Sequence, residues 1–263
     1  MDLDIAGDAA LVTASSSGLG KASARALARE GANVVINGRD RERLEAAVTG
    51  IEADATGEVI GHVGDITDRD DVTALVDRTV SAFGGLDYLV TSAGGPPPLQ
   101  FLETDEDDWD AAYELLLKSV VHVVHQAADH LRADGGGSVC HITSRATKEA
   151  SATNVLSSSV RTSVIGLEKV LSRELAPEVR VNSVLPGAHE TPRIEEMFEA
   201  AVDRGEYDSY EAARAARAES IPLKRIGDPM ELGDTVAYLC SDRAGFITGQ
   251  AIVIDGGSVD VTF

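Results

Sequence analysis

Short apolar runs alternate with longer amphipathic stretches along almost the whole 263-residue chain, and this alternation restricts the possible folds most strongly. In the stretch 69–84, for example, apolar residues recur with the spacing of one helical face. Strands that alternate with helices require right-handed crossovers, which build a parallel sheet covered on both faces. Seven runs are predicted to be strands, at 9–15, 33–38, 59–65, 86–94, 137–144, 180–187 and 251–257.

The pattern predicts an α/β fold: a doubly wound, Rossmann-type parallel sheet of about seven strands, formed by a single domain over residues 1–263. Residues 188–226 interrupt the alternation and are predicted to be helices inserted after the sixth strand. Because ligands bind beyond the carboxyl ends of the strands in such a sheet, we interpret this insertion as a substrate lid. The other helices are predicted at 18–31, 39–53, 69–84, 106–133 and about 154–176.

The composition excludes several classes of partner. A formal net charge of −21 would repel nucleic acid. The chain contains no run of about 18 apolar residues, the length that a membrane span requires. The acidic N-terminus also lacks a signal-peptide pattern, so a cytoplasmic location is expected. The excess of acid, with few lysines and few aromatic residues, favours adaptation to a salty, halophilic cytoplasm over a merely acidic surface. Cys140 and Cys240 are expected to be buried, inert thiols.

The first predicted strand continues into "TASSSGLGKA", where glycines 18 and 20 open a helix. The free backbone N–H groups at such a helix start, together with the helix dipole, bind an anionic pyrophosphate well. The small residues from Ala14 to Ser17 would let the backbone approach such a ligand closely. Taken alone, this stretch is equally consistent with a tight turn that holds no ligand.

Further segments in the same order give the chain a family likeness. Its Thr13–Gly20 segment matches the pattern T-G-x-x-x-G-x-G, except that Ala14 replaces the first glycine. "GDITD", "TSAG", "ITS", "RVNSVLPG" and "ITGQAIVIDGG" follow along the chain. On these segments the chain resembles the short-chain dehydrogenase/reductase family, and especially its 3-oxoacyl-carrier-protein-reductase-like members. The likeness covers essentially the whole chain and implies a nicotinamide cofactor and a small-molecule substrate.

The resemblance also implies which residues bind the cofactor. Residues of the first turn would border the pyrophosphate, two residues after the third strand would hold the adenine, and the ends of the fourth and sixth strands would meet the ribose and the nicotinamide. These residues are Thr13, Ser16, Ser17, Gly18, Leu19, Gly20, Asp65, Ile66, Ala93, Gly94, Pro186, Gly187 and Thr191, with Arg161 also on the ribose.

The end of the second strand favours NADP over NAD. An NAD-preferring site usually places a carboxylate here, but Gly38 occupies the position and Arg39 follows it. A guanidinium suits the 2′-phosphate of NADP, to which it can donate charge-assisted hydrogen bonds. A solvated arginine at the start of a helix is the alternative interpretation, and NAD stays possible.

The catalytic motif is atypical. The resemblance places the family's serine at Ser144, its tyrosine at Ser157, its lysine at Arg161 and its asparagine at Leu116. A serine hydroxyl is shorter and far less acidic than a phenol, and arginine stays protonated at all ordinary pH values. Ser157 therefore cannot simply replace the tyrosine, whereas Ser144 can still orient a substrate oxygen and Arg161 can still bind the ribose.

Nearby groups offer other sources of a proton. The candidates are Lys148 with Glu149, His189 with Glu190, and Tyr207 with Tyr210 on the lid. The competing interpretations are an exposed loop histidine for His189 and lid packing for the two tyrosines. His122 and His125 lie one helical turn apart without a third ligand, so no metal site is expected.

The amino-acid sequence is consistent with three functions. The first is an NADP-dependent oxidoreductase that acts on a carbonyl or hydroxy compound with a modified proton-transfer step. The second is a nucleotide-binding pseudoenzyme, a sensor or assembly subunit with little turnover, and the third is a lyase or isomerase on the same fold. The likeness further implies a homo-oligomer, a tetramer or a dimer, although the apolar face of 115–128 is equally consistent with packing against the sheet.

Overall fold

The computed structural model describes residues 2–133 and 135–262. Within them the strands form a single sheet in which all neighbours are parallel, in the order β3-β2-β1-β4-β5-β6-β7. The predicted single-domain, Rossmann-type architecture is therefore confirmed. The strands are β1 (Ala9–Val12), β2 (Asn33–Gly38), β3 (Val59–Val63), β4 (Tyr88–Thr91), β5 (Gly137–Ile142), β6 (Val179–Pro186) and β7 (Ala251–Ile254).

Helices cover both faces of the sheet because successive strand residues point to opposite sides. Leu11 and Leu89 pack on one side, and Val12 and Val90 pack on the other. The helices are α1 (Gly18–Arg29), α2 (Arg41–Glu52), α3 (Arg69–Phe83), α4 (Glu106–Tyr113), α5 (Ser119–Leu131), α6 (Val155–Glu174), α7 (Pro192–Asp203), α8 (Tyr210–Ser220) and α9 (Pro229–Cys240).

The helix predicted at 106–133 is interrupted by a π-helical turn, Glu114–Lys118, between α4 and α5. The Ser119 hydroxyl donates to the Leu115 carbonyl at 2.5 Å, and the Ser119 backbone N–H bonds instead to Glu114 O. In a regular helix the Leu115 carbonyl would accept the Ser119 backbone N–H. Here it accepts the hydroxyl, and the backbone N–H bonds one residue further back, which widens the turn. Leu116, at the family's asparagine position, lies in this turn.

Carboxylates cap several helices, which gives part of the acidic composition a structural use. The side chains of Asp40, Asp68, Asp105 and Asp228 accept backbone N–H bonds at the starts of α2, α3, α4 and α9. By contrast, Ser17 makes no side-chain cap at the start of α1. The first turn of that helix is therefore left open to another acceptor.

The inserted segment 188–226 contains α7 and α8, which follow β6 and precede α9. These two helices bury an apolar cluster of their own, to which Ile194, Phe198 and Ala213 belong. Phe198 and Tyr210 pack edge to face with ring centroids 5.7 Å apart. The interpretation of this segment as a substrate lid stays a prediction.

Both cysteines are buried, as expected. Burial raises the pKa of each thiol, that of Cys240 to about 11. Neither side chain has the low pKa of a reactive thiol.

We expect Glu168 to make the stability of the fold fall as the pH rises. This side chain is 1% exposed on α6, its Oε2 atom has no hydrogen-bond partner among the described residues, and burial raises its pKa. A raised carboxyl pKa means that the folded state binds the proton more tightly. The resulting stabilisation is present below the ordinary pKa of the group and is lost above it.

Glu168→Gln removes this ionisation, so the variant should gain about 1–3 kcal/mol over the wild type at about pH 8 and little at about pH 4. Urea unfolding at the two pH values measures the difference. Glu174→Gln, at the exposed end of the same helix, is the control. Parallel pH profiles for the wild type and Glu168→Gln would contradict the assignment.

Candidate active site

The turn between β1 and α1 brings backbone close to any ligand bound there. Gly18 has φ +58°, and Ala14 also adopts a left-handed conformation, with φ 44°. At Gly20, a Cβ atom would lie 2.8 Å from the Ala14 carbonyl oxygen, so only glycine fits without a shift. In the described structure the N–H groups of Ser16, Ser17 and Leu19 make no intramolecular hydrogen bond. This unsatisfied turn fits an anionic ligand.

Two buried polar side chains hold this turn. The Thr13 hydroxyl accepts the Ser92 N–H at 2.9 Å and donates to the Ser92 carbonyl at 2.8 Å, which ties the end of β1 to that of β4. Asn37 Oδ1 accepts the Ala14 N–H at 3.2 Å, and its Nδ2 donates to the carbonyls of His62 and Gly64.

Asn37 therefore fixes the positions of the ends of β2 and β3 relative to the turn. Asn37 was not predicted as a site residue, although a polar residue inside the apolar run "VVING" indicates a special role. Thr13 is 2% exposed, with its hydroxyl used twice, so it lies behind the turn rather than in the crevice.

The residues predicted to hold the adenosine lie together beyond β2 and β3. A Cβ atom at Gly38 would lie 2.8 Å from Ser16 Oγ, so the strand end packs directly on the turn. The next residue, Arg39, is largely exposed and places its guanidinium 3.5 Å from the Asp65 carboxylate. Burial opposes ionisation of Asp65, but hydrogen bonds from Thr67 and the charge of Arg39 outweigh it and lower its pKa.

Arg161 extends from α6 to the ends of β4 and β5. It donates to the carbonyls of Ile142, Ala93 and Gly94 at 3.3, 3.4 and 3.0 Å, and it is 8% exposed. Burial lowers its pKa to about 10, which leaves the guanidinium charged at neutral pH. In the described structure no carboxylate pairs with it, so three backbone carbonyls take the place of a counter-ion.

The remaining predicted catalytic positions are close in the fold but are not hydrogen-bonded to one another. Ser144 follows β5, and its Oγ accepts the Ala146 N–H at 3.1 Å. Ser157 is 4% exposed at the start of α6. Leu116, which was predicted to occupy the family's asparagine position, is buried in a cluster with Leu156 and Val160. No hydrogen bond among the described residues connects Ser144, Ser157 and Arg161.

A buried histidine shares a small cavity with Arg161. His141 is fully buried on β5, and its Nδ1 lies 2.7 Å from the Thr91 hydroxyl. Its Nε2 has no partner among the described residues, and burial lowers its pKa to about 4, so the ring is neutral at pH 7. The cavity is bounded by His141, Leu116, Thr91 and Arg161.

The groups considered as alternative proton donors are mostly engaged elsewhere. Glu149 contacts Arg145 at 3.3 Å, Glu190 contacts Arg214 at 2.5 Å, and Tyr210 packs on Phe198. Lys148 is exposed, and the exposed fraction of Tyr207 is 39%.

The interpretation of His189 as an exposed loop histidine is wrong. The ring is 5% exposed, because it packs against Gly227, which pairs with it in a short parallel bridge. Burial lowers the pKa of His189 despite a contact between Nδ1 and the Gly187 carbonyl at 3.3 Å. Local sequence patterns do not predict that a segment about 40 residues later covers this ring.

The end of β6 completes the crevice. Pro186 ends the strand, and a Cβ atom at Gly187 would lie 2.5 Å from Asp255 Cβ. Thr191 begins α7 beside the first turn of α1, since its methyl group would lie 3.8 Å from a Cβ at Gly18. The base of the inserted segment therefore lies next to the β1–α1 turn.

Two features are absent from the described ranges, 2–133 and 135–262. No group of three or more His, Cys, Asp or Glu side chains there could hold a metal ion. None of the helices there combines the length and the apolarity that a bilayer crossing requires. The expected cytoplasmic location stays a prediction.

The family profile described as "Enoyl-(Acyl carrier protein) reductase" matches residues 13–259. The chain is 33% identical over 254 residues to the 3-oxoacyl-[acyl-carrier-protein] reductase FabG of Thermotoga maritima, a match that covers 96% of this chain and 98% of that protein. It is 32% identical to human dehydrogenase/reductase SDR family member 4, over 97% and 88% of the two chains.

The chain belongs to the short-chain dehydrogenase/reductase family. A solved family structure agrees: L-sorbose reductase from Gluconobacter frateurii, complexed with NADPH and L-sorbose, superposes with a TM-score of 0.93 at 30% identity. That match covers 99% of this chain and 100% of the reductase. Sequence similarity and structural similarity therefore both support the relationship to an oxidoreductase family.

Ala14 adopts a conformation that suits the family's glycine better than alanine. A left-handed φ costs an L-residue about 1–2 kcal/mol, and this is partly offset because glycine loses more entropy on folding. We therefore expect Ala14→Gly to raise the free energy of unfolding by up to about 1 kcal/mol, measured by urea or thermal unfolding. Ala46→Gly, at an exposed helical position of α2, should instead lose about 1 kcal/mol. A loss in both variants would contradict the strain argument.

Proposed function

We propose that the protein is an NADP-dependent reductase or dehydrogenase that acts on a carbonyl or hydroxy compound with a modified proton-transfer step. The observation that carries the proposal is the β1–α1 turn, where Ser16, Ser17 and Leu19 have free backbone N–H groups and Gly20 allows close packing of the backbone. The L-sorbose reductase with a similar fold is described with NADPH, which supports the same class of cofactor here.

The residues proposed for each part of the cofactor follow the ends of β1, β2, β3, β4 and β6. The turn residues Ser16 to Gly20 suit the pyrophosphate, and Arg39 with Asp65 suits the adenosine. Ala93 and Gly94 would lie under the ribose, with their carbonyls held by Arg161. Pro186, Gly187 and Thr191 would meet the nicotinamide end. When bound, the cofactor supplies the hydride.

Arg39 should determine the preference for NADP. Its guanidinium is largely exposed beyond β2 and lies 3.5 Å from the Asp65 carboxylate. Arg39→Ala should weaken NADPH binding by about tenfold or more and leave NADH binding unchanged, because only NADPH carries the 2′-phosphate. Fluorescence titration measures both affinities, with Arg43→Ala on the exposed face of α2 as the control. An equal loss for the two cofactors would refute this role.

The residues of the proposed reaction centre have different roles. We infer that Ser144 orients the substrate oxygen and that Arg161 fixes the ends of β4 and β5 and contacts the ribose through a remaining N–H. Ser157 has neither the reach nor the acidity of the family's tyrosine. The proton would therefore come from solvent, or from a group delivered when the segment 188–226 closes as a lid.

A second candidate function is a nucleotide-binding protein with little or no turnover. One observation favours it: Arg161 is already engaged by three carbonyls, and no hydrogen bond among the described residues joins it to Ser157. The site then retains its binding parts but lacks the connection that lowers the pKa of a catalytic hydroxyl. A sensor or an assembly subunit would need nothing more.

One experiment separates the two candidates. The protein is mixed with NADPH, binding is followed by fluorescence, and oxidation is followed by absorbance with β-ketoacyl, keto-acid and sugar substrates. We expect binding together with slow oxidation for part of this panel. Binding without oxidation across the panel would favour the second candidate, and absence of binding would exclude both.

Restoring the family's pair should accelerate turnover. Ser157→Tyr with Arg161→Lys introduces a phenol and an ammonium at the matching positions of α6, and general acid–base catalysis is worth on the order of 100-fold or more. We expect kcat with the best substrate of the panel to rise by at least about tenfold. Ser157→Phe with Arg161→Lys, which adds the ring without the hydroxyl, is the control. Equal rates for the two double variants, both folded and both binding NADPH, would disprove this account.

Two finer proposals concern the surface. The family likeness supports assembly into a homotetramer or a homodimer. Sedimentation analysis would test this, and a monomer at every concentration would exclude it.

The net charge of −21 supports adaptation to high salt. In that case the melting temperature should rise between about 0.1 M and about 1 M KCl, because screening weakens the repulsion between carboxylates. A flat or falling salt dependence would count against it.

A further inference from the structure

The start of the inserted segment contacts both sides of the crevice that would hold the cofactor. The strand order reverses between β1 and β4, so the β1–α1 turn and the loop after β4 diverge and leave a crevice between them. On the first side, the Thr191 methyl carbon lies 3.8 Å from the position of a Cβ atom at Gly18. On the second side, Arg193 Nη2 donates to the Pro96 carbonyl at 3.3 Å, and Nε lies 3.9 Å from the position of a Cβ atom at Gly95. Two residues at the start of α7 therefore bridge the crevice.

Arg193 is held loosely in this position. Its bond to the Pro96 carbonyl is longer than the usual range for an N–H donor and an oxygen acceptor. Its second partner, Glu196 Oε2, lies 3.6 Å from Nη1, one turn further along α7. The two side chains of this pair are 49% and 66% exposed, and ion pairs between such exposed groups contribute little to stability. The guanidinium can therefore exchange both partners for a stronger acceptor at small cost.

The β1–α1 turn does not itself supply a cation for a bound pyrophosphate. The nearest basic residue along the chain, Lys21, is directed toward α2, where its Nζ lies 3.1 Å from the position of a Cβ atom at Gly50. The backbone N–H groups at the start of α1 carry only partial charges. The net charge of −21 opposes the approach of a phosphate anion. A guanidinium beside the turn would therefore favour the binding of a pyrophosphate.

We propose that Arg193 binds the pyrophosphate of the cofactor and exchanges the Pro96 carbonyl for phosphate oxygens. Arg193 follows Thr191 by two residues, so its Cα atom lies at most about 7 Å from that of the residue that touches the turn. A guanidinium donates charge-assisted hydrogen bonds to phosphate, often two at once, and these are stronger than its bond to a neutral carbonyl. The inference rests on the proposed function and adds to it a cofactor-binding residue on the inserted segment. The bound cofactor would then join this segment to the β1–α1 turn.

The test uses ligands that share only parts of the cofactor. NADPH and NADH both carry the pyrophosphate, and so does ADP-ribose, which lacks the nicotinamide. Adenosine 2′-monophosphate carries the 2′-phosphate but no pyrophosphate. Fluorescence titration measures the affinity for the two dinucleotides, and displacement of NADPH measures the affinity for the two fragments. The variant is Arg193→Gln, and the control is Arg204→Gln, an equal change of charge at the other end of α7.

We expect Arg193→Gln to bind NADPH, NADH and ADP-ribose at least about tenfold more weakly than the wild type does. A charge-assisted hydrogen bond to phosphate is worth about one or two powers of ten in affinity. The affinity of this variant for adenosine 2′-monophosphate should stay unchanged, which a general distortion of the crevice would not allow. Arg204→Gln should bind all four ligands as the wild type does.

Two results would overturn this inference alone. The first is that Arg193→Gln binds NADPH and NADH as tightly as Arg204→Gln does. The second is that Arg193→Gln loses affinity for adenosine 2′-monophosphate by the same factor as for ADP-ribose. A wild type that binds neither dinucleotide would overturn the proposed function, and this inference with it.

Discussion

The site depends on the way in which polar side chains join the ends of β1, β2, β3 and β4. Thr13 connects β1 to β4, and Asn37 connects the β1–α1 turn to the residues that follow β3. Both side chains are buried, so the sheet core and not the loops holds their geometry. The turn can then leave its own N–H groups free for a ligand while its shape stays fixed.

On the other side of this framework, a buried guanidinium lies at the ends of β4 and β5. Arg161 is satisfied by backbone carbonyls, next to a neutral His141 and a buried Leu116. The structure therefore has a buried cation at the ends of these strands, and no hydrogen bond among the described residues joins it to Ser144 or Ser157.

The sequence predicted the sheet, the helices that cover it and the positions of the strand ends, because period and turn chemistry determine those features locally. It did not predict the π-helical turn at Leu116, which depends on where the Ser119 hydroxyl points. It also missed the burial of His189 and the partners of Arg161. These features depend on segments that are distant along the chain and meet only in the folded protein.

The contact between Gly38 and Ser16 constrains how coenzyme choice could evolve. A carboxylate at position 38 is the simplest route from a phosphate-bearing dinucleotide to one with a free ribose hydroxyl. Its Cβ would lie 2.8 Å from Ser16 Oγ and 2.9 Å from Ser16 Cβ, so any side chain at position 38 requires the β1–α1 turn to shift or Ser16 to change as well. Close packing between the strand end and the turn thus couples the residue at position 38 to the geometry of the turn.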